Sequence, residues 1–156
     1  MSDKGTSQNN QPAVADALNA LLADSFALYL KTKNYHWHVQ GPHFRELHLL
    51  FDEQATQILA TTDLIAERVR KNGAATLRSI GEVSRRQSIK DDDAAGVDAE
   101  TMVKALAADN ALLLEQLKET KDAAEADGDI ATSGLVDGWA DETQQRIWFL
   151  KATAGY

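Results

Sequence analysis

Residues 43–70, HFRELHLLFDEQATQILATTDLIAERVR, decide the fold. Leu47, Phe51, Ala55, Ile58, Ile65 and Val69 recur three or four residues apart, with Gln54 and Thr62 in register, the period of an amphipathic helix facing a core. A second stripe, about 100° further round the helix, carries His48, Asp52, Leu59, Asp63 and Glu67. The pairs His48/Asp52 and Asp63/Glu67 are each spaced i, i+4, so their members stack one turn apart. The two pairs are mirror images about a point midway between Gln57 and Ile58. Asp52 and Asp63 lie about 16 Å apart along the axis, too far to share one metal ion. A second copy of the helix, antiparallel across a two-fold axis at that midpoint, would set Asp52 against Asp63 of its mate and His48 against Glu67. The spacing predicts a metal site built between subunits.

Around this helix, 156 residues at 44% hydrophobic content are enough for one domain with a substantial core. Nine Gly and two Pro among abundant Ala, Leu, Glu, Asp and Gln point to an all-α chain. No apolar run approaches the roughly 20 residues of a membrane span, and no leader resembles a signal peptide, so a soluble, cytoplasmic protein without a membrane partner is expected. The absence of cysteine leaves imidazole and carboxylate as metal donors, a set suited to iron, manganese or zinc. A net charge of -8 argues against general nucleic-acid binding, which needs clustered Lys or Arg.

Residues 1–12 read as a flexible polar tail, residues 13–153 as a four-helix bundle and residues 154–156 as a short C-terminal tail. A first helix should run from about Val14 to Val39 and break at Gly41-Pro42. The second should end near Arg70, with Gly73 as its stop. Residues 72–97, with a short helical piece in LRSIGEVSRR, form a connection long enough to cross over the length of a bundle. A third helix should start at Asp98 and bury Met102, Leu106, Leu113 or Leu114, and Leu117. A fourth should begin near Asp129 and bury Leu135, Trp139, Ile147, Trp148 and Leu150.

His36 and His48 are equidistant from Pro42, so an antiparallel hairpin at Gly41-Pro42 brings them side by side. The expected centre is His36, His48 and Asp52 from one chain with Asp63 and Glu67 from another, a donor set able to hold two divalent irons with positions open to an oxidant.

His36-Trp37, Gly41, Phe44, His48, Phe51-Asp52, Asp63 and Glu67 together resemble the signature of the Dps-type mini-ferritins, the DNA-binding proteins from starved cells. The likeness runs weakly from residue 14 to residue 151 and includes Trp148. It implies a ferritin-like four-helix bundle assembled into a hollow homododecamer, with ferroxidase centres at the two-fold interfaces. It also implies oxidation of Fe(II), preferably by hydrogen peroxide, at up to two irons per centre, and storage of ferric mineral in the cavity. By the same resemblance Glu67 would anchor the first iron, Asp52 would ligate or bridge, and His36 and His48 would hold the weaker position. Trp37, beside a ligand, would intercept stray one-electron oxidants. Acids near the junction of the last two helices would line an iron-entry pore, here Asp122, Asp127, Asp129 or Asp137, although Ile130 and Gly134 stand where acids would be expected.

Each of these residues taken singly has an ordinary reading as solvated helix surface; the symmetry and the His36 correspondence together favour the metal centre. His38 and His43 read as surface or turn residues, and Trp139 and Trp148 as packing. A di-iron site inside one bundle would need paired Glu-x-x-His motifs, which are missing, and Met102 alone is poor support for haem, so no haem is expected. The alternative function is DNA compaction with nucleoid association. It lacks a basic tail, and Arg68, Arg70, Lys71, Arg78, Arg85 and Arg86 are offset by Glu67, Glu82 and Asp91-Asp92-Asp93.

Overall fold

The structure is a computed structural model that describes residues 11–155, with side chains described from residue 13. Five helices follow in order: α1 (Gln11–His38), α2 (Phe44–Lys71), a short α3 (Ile80–Arg86), α4 (Ala99–Asp127) and α5 (Ile130–Ala154). Two tight connections each make an antiparallel hairpin. Between α1 and α2, Gly41 adopts φ 114, a conformation open to glycine and strained for any residue with a Cβ. Between α4 and α5, Gly128 at φ 70 ends one helix and Asp129 caps the next through the Thr132 N–H at 3.1 Å.

Long-range contacts give the direction of every long helix. Asp24 meets Gln116 and Lys31 meets Asp109, so α1 and α4 are antiparallel. The Gln54 amide reaches the Arg146 carbonyl and Asn72 reaches Asp129, so α2 and α5 are antiparallel as well. Helices α2 and α4 therefore point the same way, and the segment between them must travel back along the whole bundle. It does so along α1. The Asn19 amide donates to the Ala75 carbonyl at 3.0 Å, the Asp24 carboxylate accepts from the Ser88 and Ile89 N–H groups at 2.7 and 2.8 Å, Lys31 donates to the Lys90 carbonyl at 2.8 Å, and Asn34 donates to the Asp92 carbonyl at 3.0 Å.

The core lies between α1, α2, α4 and α5, with Leu18, Leu28, Phe51, Val69, Leu106 and Leu150 completely buried. On α2 the buried residues are Leu47, Phe51, Gln54, Ala55, Ile58, Thr62, Ile65 and Val69, the stripe expected from its period. Asp98 caps α4 through the Thr101 N–H at 2.8 Å, and Met102, Leu106, Leu113 and Leu117 are buried as expected.

Four expectations are corrected. Helix α1 begins at Gln11, because the missing N–H of Pro12 costs nothing in a first turn; the rest of the expected tail, residues 1–10, lies outside the described residues. The stretch Ala13–His38 is, by length and composition, apolar enough to cross a membrane, yet more than half of its most apolar window is buried against the bundle, as in a core helix. Helix α5 continues through Ala154, the first residue of the expected C-terminal tail, and ends at a Gly155 cap. It buries Thr132, Val136, Trp139, Thr143, Arg146 and Leu150, whereas Leu135 and Trp148 are exposed, Trp148 by 65%. Polar groups on its inner face hid that stripe from a hydrophobic pattern: Arg146 donates to Asn110 at 2.8 Å and to Thr143 at 3.0 Å, which makes its burial tolerable.

Asp24 is the fully buried fastener of the crossover. Asp24→Ala should strand two backbone N–H groups and cost about 2–4 kcal/mol. Thermal unfolding and amide exchange at Ser88 and Ile89 check this; unchanged exchange there would contradict the assignment.

Candidate metal centre

The α1–α2 hairpin brings His36 and His48 together with their rings stacked, centroids 3.8 Å apart and planes 13° from parallel. Each ring is clasped by the other helix: His36 Nδ1 lies 2.6 Å from the His48 carbonyl oxygen, and His48 Nδ1 lies 2.7 Å from the His36 carbonyl oxygen. A carbonyl oxygen only accepts, so both Nδ1 atoms carry the proton. The lone pair of each neutral ring is then on Nε2, the atom left to bind a cation. Phe44 stacks on His48 with centroids 4.9 Å apart and closes one side of the pair.

Asp52 completes this cluster from the next turn of α2, its Oδ1 3.8 Å from His36 Nε2. Its carboxylate also accepts a hydrogen bond from Lys33 Nζ at 2.8 Å. That bond holds the Asp52 carboxyl below the usual carboxylate range. The same ammonium lies 5.8 Å from the centre of the Trp37 ring, and Trp37 is 58% exposed. Lys33 was missed in the sequence, although it stands three residues before His36 and so shares its helical face.

Asp63 and Glu67 are exposed further along α2 and do not join these residues within one chain. Among the described residues no group of three or more His, Asp or Glu side chains is arranged to hold a metal ion by itself. Leu49, Leu59 and Leu64 on α2 are also 42–48% exposed around the two acid pairs. On α1, Phe26, Leu30 and Trp37 add to the uncovered apolar area.

His38 is exposed and bonded to Asn34, and His43 is exposed at 3.5 Å from Glu46; neither approaches the stacked pair's donors. At the α4–α5 junction, two of the four expected pore acids have partners within the chain. Asp129 is the cap of α5, where its other oxygen accepts from the Thr132 hydroxyl at 2.6 Å and from Asn72 at 2.9 Å. Asp137 pairs with Lys121 at 2.7 Å. Asp122 is exposed and Asp127 half-buried.

A bundle whose second and third long helices run the same way, joined by a full-length crossover, is the ferritin-like architecture. Residues 15–155 match the Ferritin-like domain family. DNA protection during starvation protein 2 of Bacillus anthracis is 35% identical over 139 residues, 89% of this chain and 94% of that protein. The crystal structure of a Dps protein from Bacillus brevis superimposes with a TM-score of 0.89 at 32% identity, covering 95% of this chain and 99% of the other. A Vibrio cholerae Dps structure, described as a member of a broad superfamily of ferritin-like diiron-carboxylate proteins, gives 0.87 at 29% identity over 96% of this chain and 98% of the other. The chain belongs to the Dps family of ferritin-like proteins.

Burial pushes the Asp129 carboxyl up, and its hydrogen bonds from Thr132 and Asn72 outweigh this, leaving it below the ordinary range. Its contribution to stability is therefore complete above about pH 4 and is lost as pH falls through the lowered value. Asp129→Ala should cost about 1–2 kcal/mol at neutral pH, chiefly as a lost helix cap. Unfolding midpoints at pH 7 and pH 3 check this: the gap between variant and wild type should narrow at the lower pH.

Proposed function

We propose that this protein removes Fe(II) and hydrogen peroxide together, at di-iron ferroxidase centres shared between two copies of the chain, and stores the ferric product. The observation that carries this reading is the reciprocal imidazole clasp, which leaves the lone pair of each ring on Nε2, that of His36 lying 3.8 Å from the Asp52 carboxylate. Nothing about core packing requires two stacked histidines to spend both Nδ1 protons on each other's backbone. Holding a cation from Nε2 is favoured by it, because the clasp sets the tautomer and restrains the rings before the cation arrives.

Asp63 and Glu67 of a second copy would face this cluster once the two α2 helices cross antiparallel, supplying the negative charge that one chain lacks. The exposed leucines around the acid pairs supply apolar area for that contact. His36, His48, Asp52, Asp63 and Glu67 would hold two Fe(II) as substrate. Each Fe(II) gives one electron, the peroxide O–O bond breaks, and two protons are taken up to form two waters, so no one-electron oxygen product is released. Anionic carboxylates suit the gain in positive charge on oxidation. Trp37 would intercept an oxidising equivalent that escapes.

A hollow twelve-subunit shell in the cytoplasm, with ferric mineral in its cavity, is the assembly this reading takes from the family. Asp122 and Asp127 remain the proposed lining of an iron-entry pore, because Asp129 and Asp137 are engaged within the chain. DNA compaction is the weaker reading. The relatives' names speak of DNA protection, and removing both reactants that generate hydroxyl radical protects DNA without touching it. A chain of net charge -8 is poorly suited to hold a polyanion along its length.

Anaerobic loading with Fe(II) followed by hydrogen peroxide, read as ferric absorbance, tests the reaction. Wild type should show a fast phase, and Glu67→Gln and Asp52→Asn should each slow it by at least about 100-fold. Equal rates in wild type and both variants would reject the centre.

Lys33 is the internal competitor for Asp52. Removing its charge in Lys33→Met should tighten anaerobic Co(II) binding by about tenfold, the scale of one charge-assisted contact. Unchanged or weaker Co(II) binding would show that Lys33 does not compete with the cation.

A further inference from the structure

About 25 Å along α1 from the imidazole pair, a separate groove of about 340 Å³ opens between the start of α1, the segment after α2 and α3. Arg78, Arg85 and Arg86 all line it. In a chain with 24 acids against 16 bases, three guanidinium groups in one groove call for counterions, and the chain supplies few. Arg86 is tied to the start of α1, its Nη2 3.4 Å from the Asp16 carbonyl oxygen and 3.7 Å from the Asp16 carboxylate. Glu82 is the one acid lining the groove, and its carboxylate accepts from the Arg78 backbone N–H at 2.9 Å. Among the described residues, no carboxylate lies within ion-pair distance of the Arg78 or Arg85 guanidinium.

The frame around these groups is fixed by polar contacts. Asn19 donates to the Ala75 carbonyl and accepts from the Thr76 hydroxyl at 2.9 Å, so the wall facing the arginines is held to α1. Arg85 folds back over its own short helix, where a Cβ on Gly81 would come within 3.2 Å of its Nη1. The absence of that Cβ leaves room for the guanidinium.

We propose that this groove binds a small phosphate-bearing anion, free in solution, between the Arg78 and Arg85 forks with Arg86 at its edge. Planar guanidinium groups match phosphate oxygens in pairs, and a tetrahedral dianion can present oxygens to several forks at once, where a carboxylate satisfies one. The size of the groove suits a phosphate or a phosphomonoester rather than a duplex. The sequence set these arginines aside as offset by neighbouring acids; in the fold, Glu82 is occupied by a backbone N–H and Asp16 reaches only Arg86.

Calorimetric titration of the iron-free, assembled protein with inorganic phosphate at low ionic strength tests the site without involving the iron reaction. One saturable site per chain is expected, with Arg78→Gln/Arg85→Gln weakening it by at least about tenfold. Arg85→Lys, which keeps the charge and loses the fork, should recover little of that loss, and the distant Arg45→Gln should bind as wild type does. The proposal is overturned by an absence of saturable binding, by equal binding in the double variant, by full binding in Arg85→Lys, or by binding of a 20-base-pair duplex in place of phosphate.

Discussion

Helix α1 is the strut on which everything else hangs. Among the described residues it is the one helix in extensive contact with α2, α3 and α4, so the two hairpins and the crossover meet through it. This constraint explains its composition. Leu18, Leu21, Leu22 and Leu28 are almost completely buried, each contributing on the order of 1.5–3 kcal/mol. Its inward or sideways polar residues are nearly all fasteners: Asn19, Asp24, Lys31, Asn34 and Tyr35 bind the crossover, the last through its hydroxyl to Asp92 at 2.5 Å. Burial and the Asp92 bond push the Tyr35 hydroxyl well above the ordinary tyrosine range, which keeps it a donor to Asp92.

The same strut ends in the imidazole pair, and this links fold to chemistry. Closing the hairpin at Gly41 places His36 one ring thickness from His48, and the two backbones then decide which nitrogen of each ring carries a proton. No separate supporting residue is needed to orient the two rings, because each helix orients the other's. Lys33 balances Asp52 in a single chain, and in the proposed centre its flexible stem would let the ammonium leave as a cation of higher charge binds.

Surface character divides the molecule in two. Around the acid pairs of α2 and on α1 the chain exposes Leu30, Leu49, Leu59, Leu64, Phe26 and Trp37. Around the groove at the other end of α1 it shows Arg78 and Arg85 without a carboxylate partner among the described residues, beside an Arg86 paired with Asp16. In the proposed readings the first surface meets another copy of the chain and the second an anion, two kinds of contact that do not compete for the same side chains.

The periodicity of α2, its two committed faces and the mirror placement of His48/Asp52 and Asp63/Glu67 were legible in the sequence, as was the meeting of His36 with His48 across Gly41-Pro42. These features are local: a helix fixes the direction of each residue about its own axis, and a short turn fixes how two such axes meet. The buried face of α5 was misread, because Thr132, Thr143 and Arg146 face inward and a hydrophobic count does not register a polar group whose partner is far away in sequence. Only the tertiary structure decided which imidazole nitrogens are free, that Lys33 holds Asp52, that Asp129 and Asp137 are engaged within the chain, and that no carboxylate among the described residues pairs with the Arg78 or Arg85 guanidinium. Each of these depends on distances of a few ångströms between atoms on different elements, and spacing along one chain does not specify them.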